Sequence, residues 1–248
     1  MGEPRGETVG LFSANAAAPL WASEPAGLWH HRSVRIDIVV YDGVDELDVV
    51  GPLEVLRRAA QSGGELTVRM VTRSAVRQVT GACGLRLRPD AVFTPDADVV
   101  VVPGGGWVAR DDVGAWGEVR RGDWLPLLAL ASGRGAVMAG VCTGTLLLAH
   151  AGVVGDLSAT THHQARKDLA ALGVRVVDER VVDEGRLVTS GGVTSGIDLG
   201  LWLVERWFGT RLADGVATAL EYPRYTPTRR TVPPAGREVL TPAQNSPA

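Results

Sequence analysis

The chain has 248 residues, 45% of them hydrophobic and 21% charged, which is the composition of a globular protein with one sizeable core. Its formal net charge of −3 gives no electrostatic footprint for nucleic acid or for an anionic membrane surface. Two cysteines, Cys83 and Cys142, are too few for a disulfide framework, and no apolar run reaches the ~18 residues that span a bilayer. No basic segment followed by an apolar one opens the chain, so the expected setting is the cytoplasm.

Residues 1–33 are rich in Ala, Gly and Pro without a period, and are expected to form a disordered extension on which Trp21 and Trp29 can dock. His30 and His31 are adjacent, share no helix face, and read as a solvated pair. Val34 to Tyr41 is predicted as the first strand, and Asp45 to about Ser62 as a helix closed by Gly63-Gly64. Pro52 lies inside that pattern, so the helix is expected to start in earnest near Gly51, leaving Asp48 on the preceding loop or in the first turn. Leu66 to Thr72 is a second strand. Val79 to Arg88, with Gly81 and Gly84, reads as a hairpin off the main sheet, and Cys83 within it as structural or incidental. Asp98 to Val102 is a buried strand that runs into Pro103-Gly104-Gly105-Gly106. Glycines there expose N–H donors and let a ligand approach, but they form neither a dinucleotide fingerprint nor a Walker loop. Trp116 to Ala131 is expected as one helix, with Leu125, Leu128 and Trp124 turned to the core.

The chain is organised around Ala136 to Gly152. An apolar run from Ala136 to Val141 has the composition of a buried strand, and Thr143 to Ala151 reads as a helix. Between them, Gly140-Val141-Cys142-Thr143-Gly144 has the spacing of a strand-to-helix nucleophile elbow, with a thiol in place of a hydroxyl. The helix N-terminus is expected to favour a thiolate at Cys142. The alternative is a tight turn holding an inert buried cysteine.

Leu157 to Thr161 follows, then His162-His163 opens a helix that ends at Gly173. Val174 to Val177 and Arg180 to Ser190 supply short strands with a turn at Asp183-Glu184-Gly185. Thr194 is placed to cap a helix through Phe208, in which Ile197, Leu201, Val204 and Phe208 form a core stripe. A last helix covers about Arg211 to Glu221, and the Pro-rich stretch 222–248 is expected to be irregular. Strands alternating with helices over 34–221 predict one α/β domain, a three-layer flavodoxin-like sandwich with a mainly parallel sheet. Ligands of such sheets bind beyond the carboxyl ends of the strands, where Asp48, Gly104-Gly105 and Cys142 all fall.

The segments LDVVGPLEVL, VVVVPGGG, AGVCTGTLLLAHAG, SATTHH and VTSGGVTSGIDLGLWLVE resemble the PfpI/ThiJ superfamily of class I glutamine amidotransferase-like proteins, over nearly all of 34–222. Within it the likeness is to isonitrile hydratases, which add water to an isonitrile and release an N-substituted formamide. The same core forms the amidase-like half of certain AraC-type regulators. The resemblance implies Cys142 as nucleophile and Asp48 as acid/base, with Thr143, Gly104, Gly105 and His162 lining the substrate. His162, twenty positions after Cys142, stands where some members complete a triad. It is either that third member or a packed helix-start histidine, and the packed reading is preferred because isonitrile hydration needs no imidazole. His163 follows it where the hydratases carry tryptophan, which alters the expected pocket. Asp45, Glu46 and Glu54 are read as solvated carboxylates. The resemblance further implies a cytoplasmic homodimer acting on a small molecule, with no cofactor, metal, nucleic acid or membrane involved. Two alternatives stay open: another cysteine-dependent enzyme of the superfamily (a glyoxalase, deglycase or amidase), and a non-catalytic sensor.

Overall fold

A computed structural model describes residues 33–225. The expectations for Trp21, Trp29, His30, His31 and the stretch 226–248 therefore fall outside the described residues. Strand β1 (Val34–Val39) leads to helix α1 (Glu46–Gln61), then to β2 (Leu66–Thr72), the two-residue strands β3 (Val79–Thr80) and β4 (Arg86–Leu87), β5 (Ala91–Val92) and β6 (Val99–Val102). Helices α2 (Gly114–Arg121) and α3 (Leu125–Gly133) precede β7 (Val137–Val141) and α4 (Gly144–His150). The rest comprises β8 (Ser158–Ala159), a single 3-10 turn at His163–Ala165, α5 (Arg166–Ala171), β9 (Arg175–Val176), β10 (Val181–Asp183), β11 (Leu187–Ser190), α6 (Ser195–Phe208) and α7 (Thr210–Ala219).

Seven strands form the central sheet in the order β10-β11-β7-β6-β1-β2-β5. Every pairing in it is parallel except β10 with β11. The strands β2-β1-β6-β7-β11 give the 2-1-3-4-5 order of flavodoxin-like folds, in which the chain reverses its direction of travel between β1 and β6. Strand ends on either side of that reversal diverge and leave a crevice, which is why the site forms there. Register between β1 and β2 is marked by a buried carboxylate: Asp37, opposite Arg69, accepts two guanidinium hydrogen bonds of 2.9 and 2.7 Å. Burial of every residue of β6 and β7 explains their unbroken apolar sequences. The same burial continues into α4, where Leu146, Leu147 and Leu148 are all enclosed. Each such side chain contributes roughly 1.5–3 kcal/mol as an upper bound, so the elbow before α4 is anchored by the core itself.

Three local expectations change. Pro52 does not delay α1: the helix runs from Glu46 straight through it. Proline removes one donor to the carbonyl four residues back, that of Asp48, and α6 closes over this spot, with Gly196 close enough that an added Cβ would lie 3.0 Å from Pro52 Cδ. The single helix expected over Trp116 to Ala131 is two, because Gly122 takes the left-handed conformation at φ 76° and ends α2. Trp124 and Leu128 are nevertheless buried as expected, while Leu125 is only partly covered. Thr194 begins α6 but makes no side-chain cap. Among the described residues no helix is long and apolar enough to cross a membrane.

Candidate active site

The carboxyl ends of β1, β6 and β7 bring Asp48, the Gly104-Gly105 loop and Cys142 together, as the spacing predicts. Cys142 has φ 54°, a left-handed backbone that a non-glycine residue adopts only when its surroundings hold it there. The holding contacts are visible. Its N–H donates to the carbonyls of Ser190 (3.1 Å) and Gly191 (3.0 Å), and its own carbonyl accepts from Thr161 Oγ1 at 2.7 Å. The elbow glycines are needed for space: a Cβ on Gly144 would sit 1.9 Å from the Val102 carbonyl oxygen. One on Gly104 would sit 2.3 Å from Thr143 Oγ1. Thr143 in turn accepts the Gly105 N–H at 3.0 Å, so the glycine loop and the elbow form one unit.

Asp48 lies fully buried in the first turn of α1. Its Oδ2 accepts the Gly104 N–H at 2.9 Å, while Oδ1 is enclosed without a full hydrogen bond. The Cys142 thiol is the side-chain donor that acts on this carboxyl, weakly favouring its charged form. Burial outweighs that and pushes Asp48 well above the usual carboxylate range, helped by the nearby charge of Asp45. Cys142, only 5% exposed, is also pushed strongly upward, first by burial and then by Asp48. Backbone N–H groups of Val193 and Thr143 donate towards its sulfur and oppose the rise without cancelling it. The resting thiolate expected from the helix N-terminus is therefore not what the structure favours. Desolvation dominates and disfavours the charged form of both groups.

His162 does not complete a triad. It makes no hydrogen bond to Cys142; its Nδ1 accepts the Gln164 N–H at 3.3 Å, capping the 3-10 turn. The ring lies over Gly192, where an added Cβ would come within 2.7 Å of Cδ2, and beside His163 at 4.3 Å between centroids. Partial burial and the neighbouring His163 push its pKa down, which favours the neutral ring.

Asp45, Glu46, Tyr41, Trp107 and Arg110 matter here although sequence reasoning missed them or read them otherwise. Asp45 is not merely solvated: its carboxylate caps α1 by accepting the Leu47 N–H at 3.1 Å, and its charge acts on Asp48, Cys142 and His162 alike. Its place directly before a helix was the available signal. Glu46 accepts N–H groups of Cys83 (2.6 Å) and Leu85 (3.2 Å), tying the β3–β4 turn to α1. Glu54, by contrast, pairs in the open with Arg58 at 2.6 Å. Tyr41 is buried behind the pair and donates to the Pro103 carbonyl. Burial and the surrounding acids push its phenol up, so it remains a donor. Trp107 fastens the far side of the glycine loop, donating to Asp168 at 2.6 Å, and Arg110 joins the same carboxylate while stacking over Trp116. A groove of about 490 Å³ between α1, α6 and residues 220–222 contains neither Cys142 nor Asp48, and lies apart from this chemistry.

Sheet order, elbow and buried thiol–carboxyl pair define a flavodoxin-like α/β protein with a cysteine at its strand-to-helix elbow. Residues 34–206 match the DJ-1/PfpI family, and the chain belongs to that family. It is 33% identical to an isonitrile hydratase of Pseudomonas putida over 192 residues, 77% of this chain and 79% of that protein. It is 28% identical to protein DJ-1alpha of Drosophila melanogaster over 217 residues, 80% of this chain and 94% of that one. The crystal structure of a ThiJ/PfpI family protein from Pseudomonas syringae superposes with a TM-score of 0.70 at 27% identity, covering 86% of this chain and 85% of the other.

Proposed function

We propose that the protein hydrates isonitriles to N-substituted formamides, with Cys142 as nucleophile and Asp48 as acid/base. The observation that carries this reading is the burial, side by side, of the Cys142 thiol and the Asp48 carboxyl, with loss of water acting against the charged form of each. An isonitrile carbon takes both a nucleophile and a proton. A thiol and a carboxylic acid side by side supply both at one point, without a charged resting nucleophile or an imidazole. The low exposure of the sulfur also suits a slender, linear functional group.

In the first step Cys142 sulfur bonds to the isonitrile carbon while Asp48 delivers its proton to the same carbon and takes up the thiol proton. The product is a thioimidate, S–CH=N–R, with Asp48 returned to its starting state. Water then adds to that carbon, one proton going to nitrogen. The C–S bond breaks, sulfur regains a proton through Asp48, and the formamide leaves. The N–H groups of Thr143 and Val193 face the sulfur as it departs with its electron pair. Gly104, Gly105 and Thr143 keep the carboxyl and elbow in register. His162 packs its ring over Gly192, next to Val193 in the loop that faces the sulfur.

The substrate is a small molecule, and the reaction draws on no cofactor. Two free cysteines suit a reducing compartment such as the cytoplasm, and a homodimer is the expected assembly. The test is loss of the isonitrile stretch with appearance of formamide on incubation with a small aryl isonitrile. Turnover of methylglyoxal without formamide favours another cysteine enzyme of the family, and absence of both activities favours a sensor.

A further inference from the structure

We infer that Arg180 is a positioning residue for Cys142, clamping the loop 191–194 at both ends so that the Val193 N–H stays on the sulfur. The loop needs such a clamp. Val193 has φ 33°, a backbone conformation that a β-branched residue does not hold unaided. Gly191 and Gly192 before it give the chain freedom to move away. Arg180 closes the loop from outside. Its carbonyl accepts the Gly191 N–H at 3.0 Å, and its guanidinium donates to Thr194 Oγ1 at 2.9 Å. This explains why Thr194 opens α6 without capping it: its hydroxyl is turned to Arg180.

The guanidinium is itself fixed. Arg180 Nε binds the carboxylate of Asp198, which is 1% exposed in the first turn of α6. Tyr222, beyond α7, accepts from Arg180 at 3.1 Å and donates to Asp198 at 3.0 Å. A planar guanidinium reaches Thr194, Asp198 and Tyr222 together; a lysine ammonium has neither the span nor the fixed fork. Through this network Tyr222 contributes to the geometry at sulfur from outside the catalytic pair.

The inference rests on the cysteine-centred reading of the site, and its test separates the two. Removing Arg180 strands the buried Asp198 charge and can unfold the protein, so Thr194→Val is the primary variant: it deletes only the loop-side acceptor at nearly constant shape. All variants carry Cys83→Ser, so that iodoacetamide reports on Cys142 alone. Thr194→Val should slow alkylation at pH 9 by about 3- to 10-fold, the worth of one hydrogen bond. It should lower kcat for isonitrile hydration by a similar factor with KM unchanged. Thr194→Ser, which keeps the oxygen, should restore both. Alkylation of Thr194→Val at or above the Cys83→Ser rate, in a protein with unchanged melting temperature, overturns the inference. Slower alkylation rescued by Thr194→Ser, in a protein that hydrates no isonitrile, supports the clamp and removes the hydratase reading.

Discussion

The protein holds two thiol–carboxyl pairs whose carboxyls, Glu46 and Asp48, share the first turn of α1 and shift in opposite directions. Cys142 faces Asp48 inside the fold; Cys83 faces Glu46 at the surface. At the surface, partial burial of Glu46 would raise its pKa, but N–H donors from its own backbone, Leu85 and Cys83 more than compensate and hold it below its usual value. It is a charged clamp, and its charge pushes the exposed Cys83 thiol up. Inside, the same two functional groups lose their water. Desolvation then raises both, disfavouring the charged form of carboxyl and thiol alike, as the proposed proton relay requires. A carboxylate beside a cysteine is thus no acid by adjacency; it becomes one through burial.

The largest test of that contrast is to remove each sulfur in turn. Cys142→Ser should abolish formamide production, because a buried hydroxyl is far less nucleophilic than a thiol, while circular dichroism and melting temperature remain close to wild type. Cys83→Ser should turn over at the wild-type rate. Appreciable activity in Cys142→Ser breaks the distinction between the two cysteines.

Exchanging the inner carboxyl should have the next largest effect. Asp48→Asn keeps the shape and can still accept from Gly104, but it has no proton to relay, so turnover should fall ~10²-fold or more. Stability should change in the other direction, and with pH. The unfolded chain ionises Asp48 at its ordinary pKa of about 3.9, whereas the fold raises that value. Stability from this group is present below the unfolded value and is lost as pH rises through the folded one. Asp48→Asn abolishes the loss, so its melting temperature relative to wild type should be higher at pH 8 than at pH 4. A difference independent of pH between these values contradicts a raised Asp48.

How much of this was legible beforehand differs between the two pairs. Strand runs such as DVVVV, the glycines after them and the elbow spacing carry long-range information, because buried parallel strands and close backbone approach leave few residue choices. Cys142, Asp48, Gly104, Gly105 and Thr143 could be placed on one sheet edge for that reason. The protonation state could not. A helix N-terminus argues for a thiolate, and only the enclosure of both groups shows that desolvation wins. Glu46 and Cys83 were unreadable as a pair, since 37 residues separate them and their contact depends on how a short hairpin docks. Pro52 misled because α6 packs where the proline weakens α1.

At the outer pair, the smallest effect is expected from Glu46→Gln. Its amide oxygen can still accept from Cys83 and Leu85, so the turn should remain docked, but the charge that raises the Cys83 thiol is gone. Alkylation of Cys83 near neutral pH should accelerate a few-fold, with isonitrile turnover unchanged. Unaltered Cys83 reactivity would show that the outer carboxylate exerts no field on its thiol.

Covalent addition of Cys142 to the isonitrile carbon can be tested by trapping the thioimidate. Wild-type protein is mixed with a small aryl isonitrile, quenched within the first turnover, and digested for mass spectrometry. The peptide bearing Cys142 should gain the mass of one intact isonitrile, Cys83 should gain nothing, and the adduct should decay as formamide appears. Formamide released while Cys142 carries no adduct at any quench time, under conditions where a synthetic thioimidate survives the quench, would contradict covalent addition at Cys142.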